Sequence, residues 1–194
     1  NKQTIVIPPF SHMKCFSKGL PRITASRRRD GVIFAGTLHR IVAKNQRMYS
    51  RGIRQLLYRK FFNANGFKII NGFYDGYCED LQRFQFCLCP PGRWEWSPRF
   101  VEAVLSGCIP IVLTHNLTMP FETDFKYKHF AFEVELNKIK HLKKLVDGWQ
   151  NNPQLLLKFR EKIRIIQRYF YYDLMHPYTY PNAFYTDIER VRKS

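Results

Sequence analysis

The chain has 194 residues, 45% of them hydrophobic and 16% aromatic, which suffices for one folded domain with a real core and excludes a disordered chain. It carries 32 Lys plus Arg against 15 Asp plus Glu, a formal net charge of +17. No stretch approaches the roughly 18 to 20 apolar residues of a membrane span, and there is no internal repeat or low-complexity segment.

The charge is uneven. Residues 1–60 hold fourteen basic side chains and one acid, Asp30. A field of that sign attracts polyanions. Three readings stay open: service to an anionic nucleotide donor or acidic glycan, binding of RNA or an acidic membrane surface, or a solvated basic face. The five cysteines show no metal-ligand spacing. Cys87 and Cys89 alternate along one strand pattern and Cys108 opens another, so the expectation is small buried thiols. Cys15 and Cys78 can pair only if the fold brings them together, and the redox compartment stays open.

In chain order, Thr4–Ile7 reads as a short strand closed by Pro8-Pro9, and Ser11–Asp30 as a loop. The run Arg27, Arg28 and Arg29 in that loop is the first candidate polyanion site. Val32–Ala35 reads as a buried strand ended by Gly36. The turn after the first strand of a Rossmann-like half approaches a nucleotide, which makes Gly36, Thr37 and Arg40 candidates for a diphosphate or sugar. Ser50 is placed to cap a helix from Arg51 to about Asn63, with Ile53, Leu56, Leu57 and Phe61 on one face. Phe67–Ile70 is the next strand and Phe73–Asp80 a loop.

The central stretch runs from Phe86 to Phe121. Phe86–Cys89 is a buried strand stopped by Pro90-Pro91-Gly92. Ser97-Pro98 gives an N-cap hydroxyl followed by proline at the first helical position. The helix Pro98–Ser106 ends at Gly107, and Cys108–Leu113 is a second buried strand. A strand–helix–strand unit this tight implies parallel strands with a right-handed crossover, and ligands then sit beyond the carboxyl ends of the strands. The helix N-terminus is an anion site in waiting. Arg93 and Arg99 can add charge-assisted bonds to a diphosphate. Glu102 lies on the same helical face, where a carboxylate can accept two ribose hydroxyls. The competing reading is a capped helix with a surface Arg–Glu pair.

The segment FCLCPPG…WSPRFVEAVLSGCIPIVL…LTMPF resembles the exostosin family, the family 47 glycosyltransferases. Ile5–Pro9, Phe34–Gly36, Gly52–Arg54 and Asn182–Phe184 match further landmarks in order, so the resemblance covers nearly the whole chain. It implies an inverting transferase that takes a UDP-sugar as donor and a glycan as acceptor; no cofactor is expected, and the absence of an Asp-x-Asp pair agrees with metal independence. The implied fold is α/β: a Rossmann-like parallel sheet with helices on both faces, one half of a GT-B architecture. Residues 1–30 would be the lead-in strand and basic loop. Residues 31–194 would be the nucleotide-sugar-binding domain with its long C-terminal helix. The sequence starts inside the family pattern without an initiator Met, so the expectation is a piece of a longer or processed protein that contacts an N-terminal domain or partner chain.

The resemblance makes Gly36, Arg40, Arg93, Ser97, Arg99 and Glu102 the candidate donor-binding set, with no metal ligand. An Arg at the position of Arg54 is common in the family, and it would meet either the donor or a surface carboxylate. Family members carry an acid just after the second central strand, where this chain has His115 and Asn116. The catalytic base is unassigned, with His115 and Glu122 as the candidates. Golgi or ER lumen is the implied location. The second function reading is a retired transferase domain serving as a basic structural or RNA-binding subunit of an organellar assembly, mitochondrial or plastid.

Beyond this unit, Ala131–Val134 reads as a strand. Leu136–Trp149 reads as an amphipathic helix with Ile139, Leu142, Leu145 and Val146 inward, and Pro153 opens a last helix to about Tyr172. The tyrosine-rich stretch Tyr169–Tyr185 is either a docking surface or a core edge.

Overall fold

The computed structural model describes residues 8, 14–16, 19–23, 28–38, 49–92, 96–113 and 118–172. The sheet is built from β1 (Arg29–Gly36), β2 (Phe67–Asn71), β3 (Phe84–Cys89), β4 (Ile109–Val112) and β5 (Phe132–Glu133). It is a five-stranded sheet of order β2-β1-β3-β4-β5, with every pair parallel. All six residues of β3 and all four of β4 are buried, as expected of strands covered on both faces. The helices α1 (Ile53–Phe61), α2 (Tyr77–Arg83) and α3 (Arg99–Ser106) connect β1 to β2, β2 to β3 and β3 to β4. The first connection moves to one side of β1 and the later ones to the other. With right-handed crossovers, α1 therefore lies on one face and α2 and α3 on the opposite face. The chain is thus α/β with a Rossmann-like parallel sheet. The change of direction puts the topological switch point between the carboxyl ends of β1 and β3.

After β5 come α4 (Leu142–Gln150) and α5 (Pro153–Ile166), the latter capped by Asn152, whose Oδ1 accepts from the Leu155 N–H at 3.1 Å. Phe132 stacks on Trp149 with centroids 3.9 Å apart and leans on Phe159, which locks both helices to the sheet. A second aromatic cluster joins Phe100, Phe121, Tyr127, Phe130 and Phe170. Such ring pairs add about 0.5–1.5 kcal/mol each beyond burial. Among the described residues, no helix is long and apolar enough to cross a membrane.

Several expectations change. The helix expected from Arg51 under a Ser50 cap starts at Ile53, because Tyr49–Gly52 forms a 3-10 turn with Ser50 and Arg51 at φ of 56 and 49. The Ser50 N–H bonds to the Gly92 carbonyl at 3.1 Å, so the turn is tied to the loop after β3 and does not cap α1. Phe73–Asp80 is not all loop: α2 begins at Tyr77, with Glu79 and Asp80 favouring its N-terminal dipole. The stretch Leu136–Trp149 splits into a 3-10 turn over Leu136–His141 and α4. The last helix ends at Ile166 and continues as a 3-10 turn to Phe170. Thr4–Ile7 lies outside the described residues.

The thiol expectation is also corrected. Cys15 pairs with Cys78 and Cys87 with Cys108, which leaves Cys89 as a buried free thiol. The parallel register sets Phe86 beside Ile109, and this brings Cys87 within reach of Cys108 at the start of the neighbouring strand. The Cys15–Cys78 bridge fastens the lead-in to α2. The same lead-in buries Phe16 and Ile23 in the core, and Gln167 and Tyr172 donate to the Pro21 and Pro8 carbonyls.

Arg28, expected in a solvent-facing basic loop, is instead a structural cation. In the structure its Nη1 donates to the Leu81 and Phe84 carbonyls at 2.8 and 3.1 Å, and its Nη2 to the Ser106 carbonyl at 2.5 Å. One guanidinium thus serves the carboxyl ends of both α2 and α3, where a cation opposes the negative dipole end. Burial, followed by Arg160, lowers its pKa to about 10. Gly107 is the neighbour that permits this. It turns at φ 75, and a Cβ there would stand 2.7 Å from Ile23 and 3.0 Å from Arg28. Arg29 opens β1, and Arg27 lies outside the described residues.

Candidate functional site

Two linked clusters occupy the carboxyl edge at the switch point. The first centres on Arg54, in the first turn of α1 and only 5% exposed. Its Nε donates to the Pro91 carbonyl at 2.9 Å and its Nη2 to Ser97 Oγ at 3.2 Å. Its Nη1 donates to Tyr49 Oη at 2.9 Å and lies 3.5 Å from the Thr37 carbonyl. The guanidinium also sits 5.1 Å from the Tyr49 ring centroid and 5.4 Å from that of Phe34. Gly36 makes this approach feasible, since a Cβ there would lie 3.3 Å from Arg54 Nη1 and 3.1 Å from the Phe34 ring. Arg54 therefore joins the end of β1, the loop after β3 and the start of α3. These acceptors are all neutral, so burial pulls its pKa down, with partial relief from Tyr49 and Glu102. Beside it, Ser50 Oγ is buried and makes no hydrogen bond among the described residues.

The second cluster is Arg99, Glu102 and Tyr77. Arg99 Nη1 is paired with Glu102 Oε2, and the Tyr77 hydroxyl donates to the same oxygen at 2.8 Å. Burial works against the Arg99 charge, but Glu102 and Tyr77 more than offset it and hold its pKa above the ordinary value. Burial and Glu102 push the Tyr77 phenol up, so it remains a donor to the carboxylate. Phe73 lies over the Arg99 guanidinium, 4.8 Å from ring centroid to charge.

The sequence expectations sort as follows. Ser97, Arg99, Glu102 and Gly36 come together at this edge. Ser97 Oγ accepts the Arg99 N–H at 3.4 Å, while the helix begins one residue later than expected. Glu102 is not half of a surface pair. It is 3% exposed and held by Arg99 and Tyr77, so a ligand hydroxyl would have to compete with them. Glu122 is exposed and its Oε2 accepts the Met119 N–H at 3.1 Å, which closes the turn in which Phe121 adopts φ 58. Arg40, Arg93 and His115 lie outside the described residues. Sequence reasoning missed Tyr77 and left Arg54 undecided. The acids Glu79 and Asp80 marked the start of α2, but a seven-residue helix is too short to show a periodic stripe.

An Exostosin GT47 domain model matches residues 1–148, most of the chain. The chain belongs to the exostosin GT47 family. It is 30% identical over 145 residues to a probable glucuronoxylan glucuronosyltransferase of Arabidopsis thaliana, covering 74% of this chain and 31% of the relative. It is 31% identical over 157 residues to a probable beta-1,4-xylosyltransferase of the same plant, covering 80% of this chain and 37% of the relative. The chain thus spans about a third of the length of these curated exostosin-family relatives. Among solved structures, the crystal structure of TarM covers 91% of this chain and 38% of its own, with TM-score 0.46 and 12% identity.

Proposed function

We propose that this exostosin-family chain is the donor-binding half of an inverting GT-B glycosyltransferase that moves a sugar from a UDP-sugar to a glycan acceptor. The observation that carries the reading is charge at the switch point. Two guanidinium groups, the buried Arg54 and the half-buried Arg99, lie near one buried carboxylate, Glu102, which is bonded to Arg99, at the edge where open α/β sheets bind ligands. An excess buried cation there is stabilised by an anion, and a diphosphate is the anion that a nucleotide-sugar brings. Arg99 and the N-terminus of α3 would meet the charge that develops on the leaving UDP, with Arg93 as an additional donor. The sequence has no Asp-x-Asp pair, which favours charge neutralisation by these cations over a divalent metal. The names of the relatives make a glucuronosyl or xylosyl group the first donor sugars to try. The base that deprotonates the acceptor hydroxyl is unassigned.

A secretory location, Golgi or ER lumen, fits two disulfides, because such bonds persist in oxidising compartments. Neither the family match nor these relatives support the recruited RNA-binding module, and Arg28 spends its charge on carbonyls.

Titration calorimetry with UDP tests the donor site, and a transferase assay of the parent protein with UDP-glucuronic acid and UDP-xylose tests the activity. UDP should bind with or without EDTA. Glu102→Gln should weaken it by roughly tenfold, the loss of one charged hydrogen bond. Absence of UDP affinity in the unmutated protein at millimolar nucleotide would end the reading.

A further inference from the structure

Phe73 is the most exposed large apolar side chain among the described residues, at 66%, and it is held in a fixed place. Gly72, at φ 92, turns the chain after β2, and its N–H bonds to the Gly36 carbonyl at 3.1 Å. This fastens Phe73 to the end of β1. The ring meets the Tyr77 ring edge-on, 5.9 Å between centroids, and its face covers the Arg99 guanidinium. A solvated phenyl ring gains nothing by exposure. Here one side is anchored on a cation, and the ring sits directly beside the Glu102–Tyr77–Arg99 cluster.

We infer that Phe73 is a stacking platform for the base of the nucleotide donor. The inference rests on the donor-site reading above and adds a recognition residue to it. If a ribose exchanges hydroxyl bonds with Glu102 and a diphosphate faces Arg99 and Arg54, the base lies one ribose away from them, and Phe73 is the exposed aromatic ring that borders this cluster. The chemistry suits a flat π-system. A phenyl ring with a guanidinium on one side presents its other side to an aromatic base, and stacking does not require hydrogen-bond complementarity. Arg99 then has a third task beside pairing with Glu102 and facing the diphosphate: it orients the platform.

The experiment compares UDP with inorganic pyrophosphate, which shares the anion and lacks the base. Affinities are measured for the unmutated chain, Phe73→Ala and Phe73→Trp, with thermal melts as a control on folding. Phe73→Ala should weaken UDP by about tenfold, the usual worth of one base stacked on an aromatic ring. It should leave pyrophosphate affinity and the melting temperature unchanged, and Phe73→Trp should retain or improve UDP binding. If UDP affinity is unchanged in Phe73→Ala, or falls together with pyrophosphate, the stacking role is overturned while the donor site stands. If the unmutated chain binds pyrophosphate as well as UDP, the base contributes nothing and the inference also fails. If it binds neither, the donor-site reading fails first, and the inference with it.

Discussion

Arg54 Nη2 donates to Ser97 Oγ at 3.2 Å, joining residues 43 apart in sequence across the mouth of the β1–β3 crevice. The bond matters because Ser97 also receives the Arg99 N–H, so one hydroxyl fixes the start of α3 relative to α1. Arg54 is thus a positioning residue for the α3 N-terminus as well as a buried charge.

Arg54→Met should therefore lose stability and nucleotide affinity together. Its bonds to Pro91, Tyr49 and Ser97, at about 1 kcal/mol each, give roughly 3 kcal/mol of destabilisation. Urea denaturation measures this as a lower midpoint with unchanged slope. Arg54→Lys should recover only part of the loss, since a point charge cannot span all three acceptors. Full stability in Arg54→Met would show that the cation adds nothing to the fold.

Arg28→Ala should destabilise the fold by about 2–4 kcal/mol by leaving carbonyls at the ends of α2 and α3 unsatisfied. A polyanion assay on the basic lead-in is therefore informative only with Arg28 intact, and a salt titration of RNA and sulfated-glycan binding is the measurement.

Asp80 gives a pH signature. Burial acts to raise its pKa, but bonds from Lys68 and Tyr74 win and hold it below the ordinary 3.8. A carboxylate with a depressed folded-state pKa adds stability above its unfolded value, and this is lost as pH falls through the folded one. Asp80→Asn should cost about 1 kcal/mol near pH 7, a modest figure because Lys68 is partly solvated. The gap between variant and unmutated protein should close well below pH 4. A gap of the same size at pH 2 would refute the ionic origin.

The thiol inventory is directly countable. Unfolded without reductant, the chain should titrate one thiol, that of Cys89, and after reduction all five cysteines. In the chain-entropy picture, loss of Cys15–Cys78, 63 residues apart, costs about 4 kcal/mol, and loss of Cys87–Cys108, 21 apart, about 3. Paired serine variants of each bridge measure these separately. Five free thiols before reduction would remove both bridges and the support they lend to a secretory location.

The sequence by itself determined the sheet and its carboxyl edge. Continuous apolar runs at Val32–Ala35, Phe86–Cys89 and Cys108–Leu113, punctuated by Gly36, Pro90 and Gly107, admit little but buried parallel strands. Ser97-Pro98 placed the next helix to within a residue. These are local signals, written within one element and its ends. What only the tertiary structure decided is every relationship that closes over a long separation. It decided that Arg28 serves two helix ends, that Glu102 is buried under Arg99 and Tyr77, that α1 begins after a left-handed turn tied to Gly92, and that four cysteines pair. The physical reason is that an arginine, a carboxylate or a thiol has no periodicity of its own. Its state is set by which distant backbone or side chain the strand order brings within about 3 Å, and a linear pattern does not record that distance.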